Sequence, residues 1–443
     1  MSEAATVPAT VQAASAAAAL SEPALAWLAT VRERALQAFV AHGFPTTSSE
    51  DWRYTDLRDT ARRIADYLSR PVPPATANSY SALLERLGVL DDLHGPALIL
   101  SDGTLAVDPA TAPVMAGLTL SALSAAQPAT RTALAERITA ATEGDGALAA
   151  LNTALLRQGL VVDVAAGADL EAPVYIVCTT TTEGAPQNRI LIHLRRGSRA
   201  TIVEHHLGLT AAVSNTKTDV LCEPDSTLVY VKLQEDSPAA THLASQRVRL
   251  EGGARARLLH LDLGAQLARN DLHVSLDGTG AEVSANGLFF ADAARHLDNH
   301  TRIEHHAAHT VSQELYRGVV SERGRGVFNG KVIVHAGANG TDAKLTNQNL
   351  LLSDTAEVDT KPELEIYADE VRCSHGATTG QLDAGAIFYL RSRGIEEAQA
   401  RRMLIASFVR EILRNLPDAA LEAHVARRLA ARLPELDEAA ETP

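Results

Sequence analysis

The feature that most constrains the fold is a turn that recurs at nearly constant spacing in the middle of the chain. The stretches RGSRATIVE, EPDSTLVYV, EGGARARLL and DGTGAEVSA align at Gly197, Asp225, Gly253 and Gly280, at intervals of 28, 28 and 27 residues. Short β-branched or aliphatic runs lie between such turns, and no helix-length segment interrupts the chain for over 200 residues after position 160. This pattern excludes a doubly wound α/β sheet, in which helices alternate with strands.

Regular spacing with weak sequence identity is typical of a solenoid, in which each coil buries its inner face on its neighbours. The alternative is a β-sandwich or jelly roll, whose turns usually recur at about 8–12 residues and in a less regular order. The spacing favours a parallel β-helix. We therefore expect a mainly β protein in which residues 160–394 form one elongated β-helix core, and two packed antiparallel sheets there would contradict this prediction.

Both flanks of the core have the patterns of helical regions. Residues 1–20 are rich in alanine and low in complexity, which predicts a disordered tail. Residues 21–159 read as a mostly helical region with one Asp-Gly hairpin at 97–107. Residues 395–443 are predicted to form a C-terminal helical domain. Its wide apolar stripe is explained either by packing on the solenoid end or by docking of a partner. The docking candidates in this stripe are Leu404, Ile405, Phe408 and Ile412.

Composition narrows the function classes. Hydrophobic residues make up 46% of the chain and charged residues 21%, which is enough apolar material for a large core and excludes wholesale disorder. The net charge of -14 disfavours nucleic acid or an anionic membrane as the main partner. Three scattered cysteines without a CxxC pair indicate a reducing compartment. The first basic residue is Arg32, so the basic segment of a signal peptide is missing and we expect a cytoplasmic protein.

Several enzyme signatures are absent from the sequence. The stretch GRGVFNGKV at 324–332 resembles a phosphate-binding loop, but Arg325 stands where the motif needs glycine and Val332 replaces the magnesium-binding Ser/Thr. The stretch GTGAEV near 278 lacks the third glycine of a dinucleotide-binding turn. No HExxH, GxSxG or paired-cysteine zinc spacing occurs. This chain is therefore not expected to hydrolyse ATP by itself.

Histidines crowd into the segment NHTRIEHHAAHT, at His300, His305, His306 and His309. Metal ligation or proton transfer is one interpretation. The other is that His, Asn and Thr form hydrogen-bonded ladders across stacked coils and satisfy their own polar groups. We favour the ladders, because no carboxylate or cysteine recurs at a fixed short spacing.

The better candidate site is Cys373-Ser374-His375-Gly376. Strand alternation places Cys373 and His375 on one face, roughly 7 Å apart at the backbone. Thiolate and imidazole are suitable ligands for iron, zinc or copper, but two ligands cannot complete a closed site, so others would come from elsewhere or from a partner chain. A structural thiol with a hydrogen-bonded histidine is the alternative. Cys178 and Cys222 lie in apolar strand runs and are expected to be core thiols.

Three segments carry a family resemblance. These are EDWRYTDL at 50–57, ELYRGVVSERGRGVFNGKVIV at 314–334, and NLLLSDTAEVDTKPELEIYADEVRCSHGATTGQLDAGAIFYLRSRGI at 349–395. Together they resemble the SufB/SufD family of the SUF iron–sulfur cluster assembly system. The WRYT segment, the chain length and the absence of CxxC pairs favour the SufD branch. The resemblance spans residues 25–430 and is strongest after 290.

The resemblance implies a non-enzymatic scaffold subunit with a right-handed parallel β-helix between helical regions. It further implies a heterodimer with a SufB-like subunit and an SufC-like ATPase bound through the C-terminal helices. A transient iron–sulfur cluster would form at the subunit interface, with His375 as the site residue, Cys373 adjacent and no permanently bound cofactor. Whether the isolated chain forms a homodimer is left open by the resemblance. The alternatives are a purely structural pairing subunit and, less favoured, a β-helix carbohydrate-active enzyme.

Overall fold

The structure of the protein is a computed structural model that describes residues 10–17, 23–70, 95–106, 109, 115–144, 146–413, 416 and 419–432. The strands in these ranges are β1 (Ala97–Ser101), β2 (Thr104–Leu105), β3 (Leu118–Ala122), β4 (Leu160–Val164), β5 (Val174–Thr180), β6 (Gln187–Leu194), β7 (Arg199–Gly208), β8 (Val213–Cys222), β9 (Thr227–Gln234), β10 (Thr241–Leu250), β11 (Arg255–Asp262), β12 (Leu267–Leu276), β13 (Glu282–Ala291), β14 (His296–His305), β15 (Val311–Val320), β16 (Arg325–Val334), β17 (Asp342–Leu351), β18 (Glu357–Ile366) and β19 (Arg372–Gly380). The longer helices are α1 (Ala29–His42), α2 (Arg58–Leu68), α3 (Pro128–Gly144), α4 (Gly146–Ala154), α5 (Ala384–Ser392), α6 (Glu397–Leu413) and α7 (Ala419–Arg432).

The strands form two sheets, and successive strands along the chain alternate between the two sheets. Sheet A has the order β2-β1-β5 followed by the odd-numbered strands to β19, and sheet B has the order β3-β4 followed by the even-numbered strands to β18. Pairings are parallel except β1 with β2 and β3 with β4. Each coil therefore contributes one strand to each sheet. The predicted parallel β-helix is confirmed, and a sandwich of antiparallel sheets is excluded.

The recurring turn is a column of residues with left-handed backbone. Gly197, Asp225, Gly253 and Gly280 have φ of 67°, 63°, 69° and 72°. In each coil the N–H of this residue donates to a carbonyl of the next coil, as from Gly197 to Pro224 at 3.0 Å. The same conformation recurs at Gly167, His309, Gly340 and Glu370. The spacing seen in the sequence is thus the length of one coil, which ranges from 26 residues where Thr241 pairs with Leu267 to 32 residues where Arg325 pairs with Glu357.

The interior of the β-helix holds polar groups as well as the main apolar cluster. On β7, the carboxylate of Glu204 accepts hydrogen bonds from Thr218 (2.8 Å) and Tyr230 (2.5 Å). His206 Nε2 lies 2.7 Å from the other carboxylate oxygen. Burial alone would raise the pKa of Glu204, but these hydrogen bonds lower it to about 2. The carboxyl of Glu314 has Thr301 as its donor, and burial raises its pKa to about 8. Glu204 is therefore charged and Glu314 neutral at pH 7.

Helices cover the outward faces of the two sheets. The N-terminal region packs on sheet B, where Phe39, Ile64 and Leu151 share a buried cluster with outward residues of β8 and β10. The C-terminal helices α6 and α7 pack on sheet A, where Val409 and Val425 meet outward residues of β7, β9, β11 and β13. Burying one such aliphatic side chain contributes about 1.5–3 kcal/mol, so these helices are integral to the folded core.

The WRYT segment fastens the N-terminal region to sheet B. The guanidinium of Arg269 on β12 lies 4.3 Å from the centroid of the Trp52 ring. Arg269 also pairs with Asp298 of the next coil at 2.6 Å, and the Thr55 hydroxyl donates to the same carboxylate at 2.5 Å. Stacking and charge-assisted hydrogen bonds thus hold this segment across neighbouring coils.

The predicted tail and region boundaries need correction. Residues 10–17 are helical rather than disordered, because Val11 is buried and the Ser15 hydroxyl donates to the carbonyl of Ala154 at 2.8 Å. Residues 1–9 and 18–20 lie outside the described residues. The Asp-Gly hairpin forms as predicted, but its strand β1 pairs in parallel with β5 and so extends sheet A. The strands end at Gly380, and α5 begins before the expected boundary at 394.

Among the described residues, no helix combines the length and apolar character needed to cross a membrane.

The column of left-handed turns can be tested at Gly280. A Cβ added at Gly280 meets no atom within 4 Å, so Gly280→Ala isolates the cost of the positive φ, which is about 1–2 kcal/mol. Gly184→Ala is the matched control, because its Cβ also meets nothing within 4 Å and its φ is not positive. We expect only Gly280→Ala to lower the denaturation midpoint. Equal midpoints for the two variants would contradict a strained turn column.

Candidate functional site at the open end of the β-helix

The C-terminal end of the β-helix leaves two strand edges unpaired within the described part of the chain. Strand β18 pairs with β16 alone, and β19 pairs with β17 alone. The side chains of β18 are mostly half-buried and those of β19 mostly exposed. Such edges present backbone donors and acceptors to any further strand, and the interior behind them has no covering coil.

Cys373 and His375 continue the inner columns of the β-helix. Cys373 pairs with Ala343 and His375 with Leu345, and both of these partners are buried in the interior cluster. The prediction that the two residues share a face is confirmed, and that face is the inner one. Cys373 is half-buried against the interior cluster, whereas His375 is exposed. The imidazole thus occupies a core position over which the described residues place no further coil.

The three cysteines differ in reactivity. Cys178 and Cys222 are buried in the interior, as predicted, and burial raises the pKa of Cys222 to about 12. Burial also raises the pKa of the Cys373 thiol, and the charge of Asp342 adds to the rise while a hydrogen bond with Ala343 opposes it. A thiol with a raised pKa is a weaker nucleophile and metal ligand at neutral pH. Of the two side chains, the exposed imidazole of His375 is the more accessible to a ligand from solvent.

Large exposed apolar side chains lie at the end of β18 and on α5, the helix that follows β19. The exposed fractions are 44% for Ile366, 62% for Tyr367, 73% for Phe388 and 58% for Tyr389, and α5 has no buried residue. Leu209 is the other strongly exposed large hydrophobic residue among those described. Exposed apolar surface of this kind is typical of sites of protein association.

The apolar stripe of α6 packs mainly against sheet A of the same chain. Ile405 and Ile412 are buried against sheet A, so they are not available as docking contacts in this fold. Phe408 is half-buried beneath the guanidinium of Arg317, which lies 4.6 Å from the ring centroid and also pairs with Glu411. Leu404 is half-buried. The packing interpretation accounts for the buried members of the stripe, and docking stays a prediction for Leu404 and Phe408.

The four clustered histidines separate into different environments. His305 is buried and contacts Thr310 and Ser312 at 2.7 and 2.9 Å, and burial lowers its pKa to about 4. His300 lies 3.0 Å from Asp298, and His309 stands in the left-handed turn column. The hydroxyl groups of Thr310 and Ser312 satisfy the ring nitrogens of His305 within its own coil. His306 contacts Glu304 and stacks on His335 of the next coil, so its contacts cross between coils as a ladder requires. The choice between a ladder and metal ligation stays a prediction for these histidines.

Comparisons with known proteins agree with this architecture. A family model described as "SUF system FeS cluster assembly, SufBD core domain" matches residues 177–408, which is more than half of the chain. The chain belongs to the SufB/SufD family. A second model, for the N-terminal region of SufBD proteins, matches residues 13–69. This range includes the WRYT segment, in which Trp52 packs against Arg269. Membership of the family supports a role in iron–sulfur cluster assembly.

Individual relatives in the SufB/SufD family match over most of their length. The chain is 31% identical over 417 residues to the iron–sulfur cluster assembly protein SufD of Escherichia coli, covering 90% of this chain and 92% of that protein. It is 28% identical over 402 residues to a SufBD family protein of Synechocystis, covering 88% and 87%. A SufBD family protein of Mycobacterium leprae is 32% identical over 265 residues, covering 58% and 67%.

Proposed function

We propose that this chain is a non-catalytic, cytoplasmic scaffold subunit of a SUF-type assembly complex. It pairs through the open end of the β-helix with a SufB-like subunit, carries an SufC-like ATPase on its C-terminal helices, and contributes His375 to a nascent iron–sulfur cluster at the subunit interface. The cluster is cargo that is built and passed on, and Cys373 is a secondary ligand. The observation that carries this proposal is the position of His375 on an inner column that no other described coil covers.

Three properties of the open end support pairing with a related β-helix. The two unpaired strand edges suit continuation of the sheets by strands of another chain. The exposed rings of Tyr367, Phe388 and Tyr389 supply the apolar area that a stable interface needs. The inner columns at this end would be covered by the partner, which would enclose His375 beside its side chains. A homodimer of the isolated chain would use the same surface.

Imidazole nitrogen is a competent ligand for iron, and one neutral histidine leaves room for thiolates from another chain. The separation of ligands between two subunits means that the cluster can form only in the complex. It also means that separation of the subunits would release the cluster. No step of this scheme requires catalysis by this chain, in keeping with the absence of a complete phosphate-binding motif in the sequence.

Substitution of His375 tests the ligand role. We expect His375→Ala to leave folding and complex formation intact, because the side chain is exposed in the isolated chain. Iron and acid-labile sulfide in the anaerobically reconstituted complex should fall at least about tenfold, whereas Cys373→Ala should lose less. Ser374→Ala, which changes the opposite face of β19, is the matched control and should retain full cluster content. A well-folded His375→Ala complex with full cluster content would show instead that this is a structural pairing subunit.

Substitution of Leu404 tests ATPase docking separately from pairing. Truncation after residue 394 is unsuitable, because α6 and α7 cover the outward apolar face of sheet A. Leu404→Glu adds a charge on the half-exposed side of α6, and we expect it to abolish co-purification of the SufC-like ATPase while the SufB-like subunit is retained. Phe388→Glu at the open end should give the reverse result. Retention of the ATPase by Leu404→Glu would place the docking surface elsewhere.

A further inference from the structure

A second group of metal-ligating side chains lies on the outward face of sheet B, away from the open interior that His375 faces. Glu304 is the last residue but one of β14. His306 directly follows that strand, and His335 directly follows β16. His306 Nε2 lies 3.0 Å and His335 Nε2 lies 3.4 Å from the same oxygen, Oε2 of Glu304. The three ligand atoms all lie within 4.8 Å of one another.

The stacking of coils brings these residues together. His305 pairs with Val334, so His306 and His335 occupy equivalent positions in consecutive coils. Their rings stack with centroids 4.2 Å apart and planes inclined by 14°. Glu304 precedes His306 by two residues, which directs both side chains outward. One coil thus supplies two ligands and the next coil the third.

The second carboxylate oxygen of Glu304 is held by other groups. Arg302 donates from Nε to Oε1, and His273 Nε2 of the preceding coil lies 3.6 Å from the same atom. Glu304 is only 9% exposed at its side chain, whereas His306 and His335 are each 38% exposed. Neighbouring side chains therefore hold the carboxylate in place, and the two imidazoles face solvent, from which an ion can enter. Such support of a ligating carboxylate by hydrogen bonds is typical of metal sites.

We propose that Glu304, His306 and His335 bind a divalent first-row transition-metal ion such as Zn²⁺ or Fe²⁺. Two imidazoles and one carboxylate suit zinc and iron, and a three-ligand set leaves coordination positions open for water or for a further ligand. Oε2 is the ligating oxygen because Oε1 is already engaged by Arg302.

Two imidazoles aimed at a single carboxylate oxygen also suit a hydrogen-bonded cluster without metal. The two arrangements differ in one measurable property, which is the affinity for a metal ion. A spectroscopically active ion that replaces zinc, such as Co²⁺, reports the nitrogen and oxygen ligands directly through its ligand-field absorption.

The test titrates the chelator-treated full-length chain with Co²⁺ and then displaces it with Zn²⁺. Cys373→Ser and His375→Asn are present in every sample, so the open-end residues cannot contribute. We expect one equivalent of Co²⁺ with a ligand-field spectrum. His306→Asn, His335→Asn and Glu304→Gln should each weaken binding at least about tenfold.

The matched control is His309→Asn, in the same histidine-rich segment. His309 is exposed with φ of 57°, a conformation that asparagine tolerates. This variant should bind Co²⁺ as the parent does, and melting temperatures confirm that every variant is folded. The proposal is overturned if the parent binds no Co²⁺, or if the doubly substituted His306→Asn/His335→Asn chain binds it with the parent's affinity and spectrum.

Discussion

Each coil of the β-helix supplies two things to the coil before it, which are backbone partners for its strands and side chains that cover its interior. The left-handed turn column shows how strictly this stacking is kept, since the N–H of Gly197 bonds to the coil that follows and the pattern recurs along the molecule. The last coil of such a solenoid needs a cap, and no further coil follows β18 and β19 among the residues that the structure describes. At the other end, β3 and the hairpin of β1 and β2 continue the sheets.

The same constraint explains where the candidate site lies. The inner columns that hold apolar residues in earlier coils end at Cys373 and His375, and the surface around them carries exposed aromatic rings. A polar ligand on an inner column would be costly inside a finished core, but it is acceptable where a second chain completes both the core and the ligand set. The interior also tolerates Glu204 because its hydrogen bonds are satisfied there.

The spacing of the turns was sufficient to predict the β-helix, because coil length is a one-dimensional property that the sequence displays directly. Strand alternation was sufficient to place Cys373 and His375 on one face, but only the register of β19 on β17 shows that this face is the inner one. Burial of Ile405 and Ile412 could not be predicted, because an apolar stripe does not show whether its own chain or another protein covers it. The sequence contained a signal for the contact of His306 with His335, because the two residues are separated by about one coil length. Predicting the contact also required knowing that both side chains face outward.

The central claim is that a SufB-like subunit completes the open end. Hydrogen–deuterium exchange of the chain alone and in complex with that subunit tests it most directly. Every second N–H of an edge strand points away from its neighbour, so such amides in β18 and β19 should exchange rapidly in the isolated chain. The account predicts that pairing slows their exchange at least about tenfold and leaves the central strands β9–β12 unchanged. Unchanged exchange in β18 and β19 within an intact complex would contradict it.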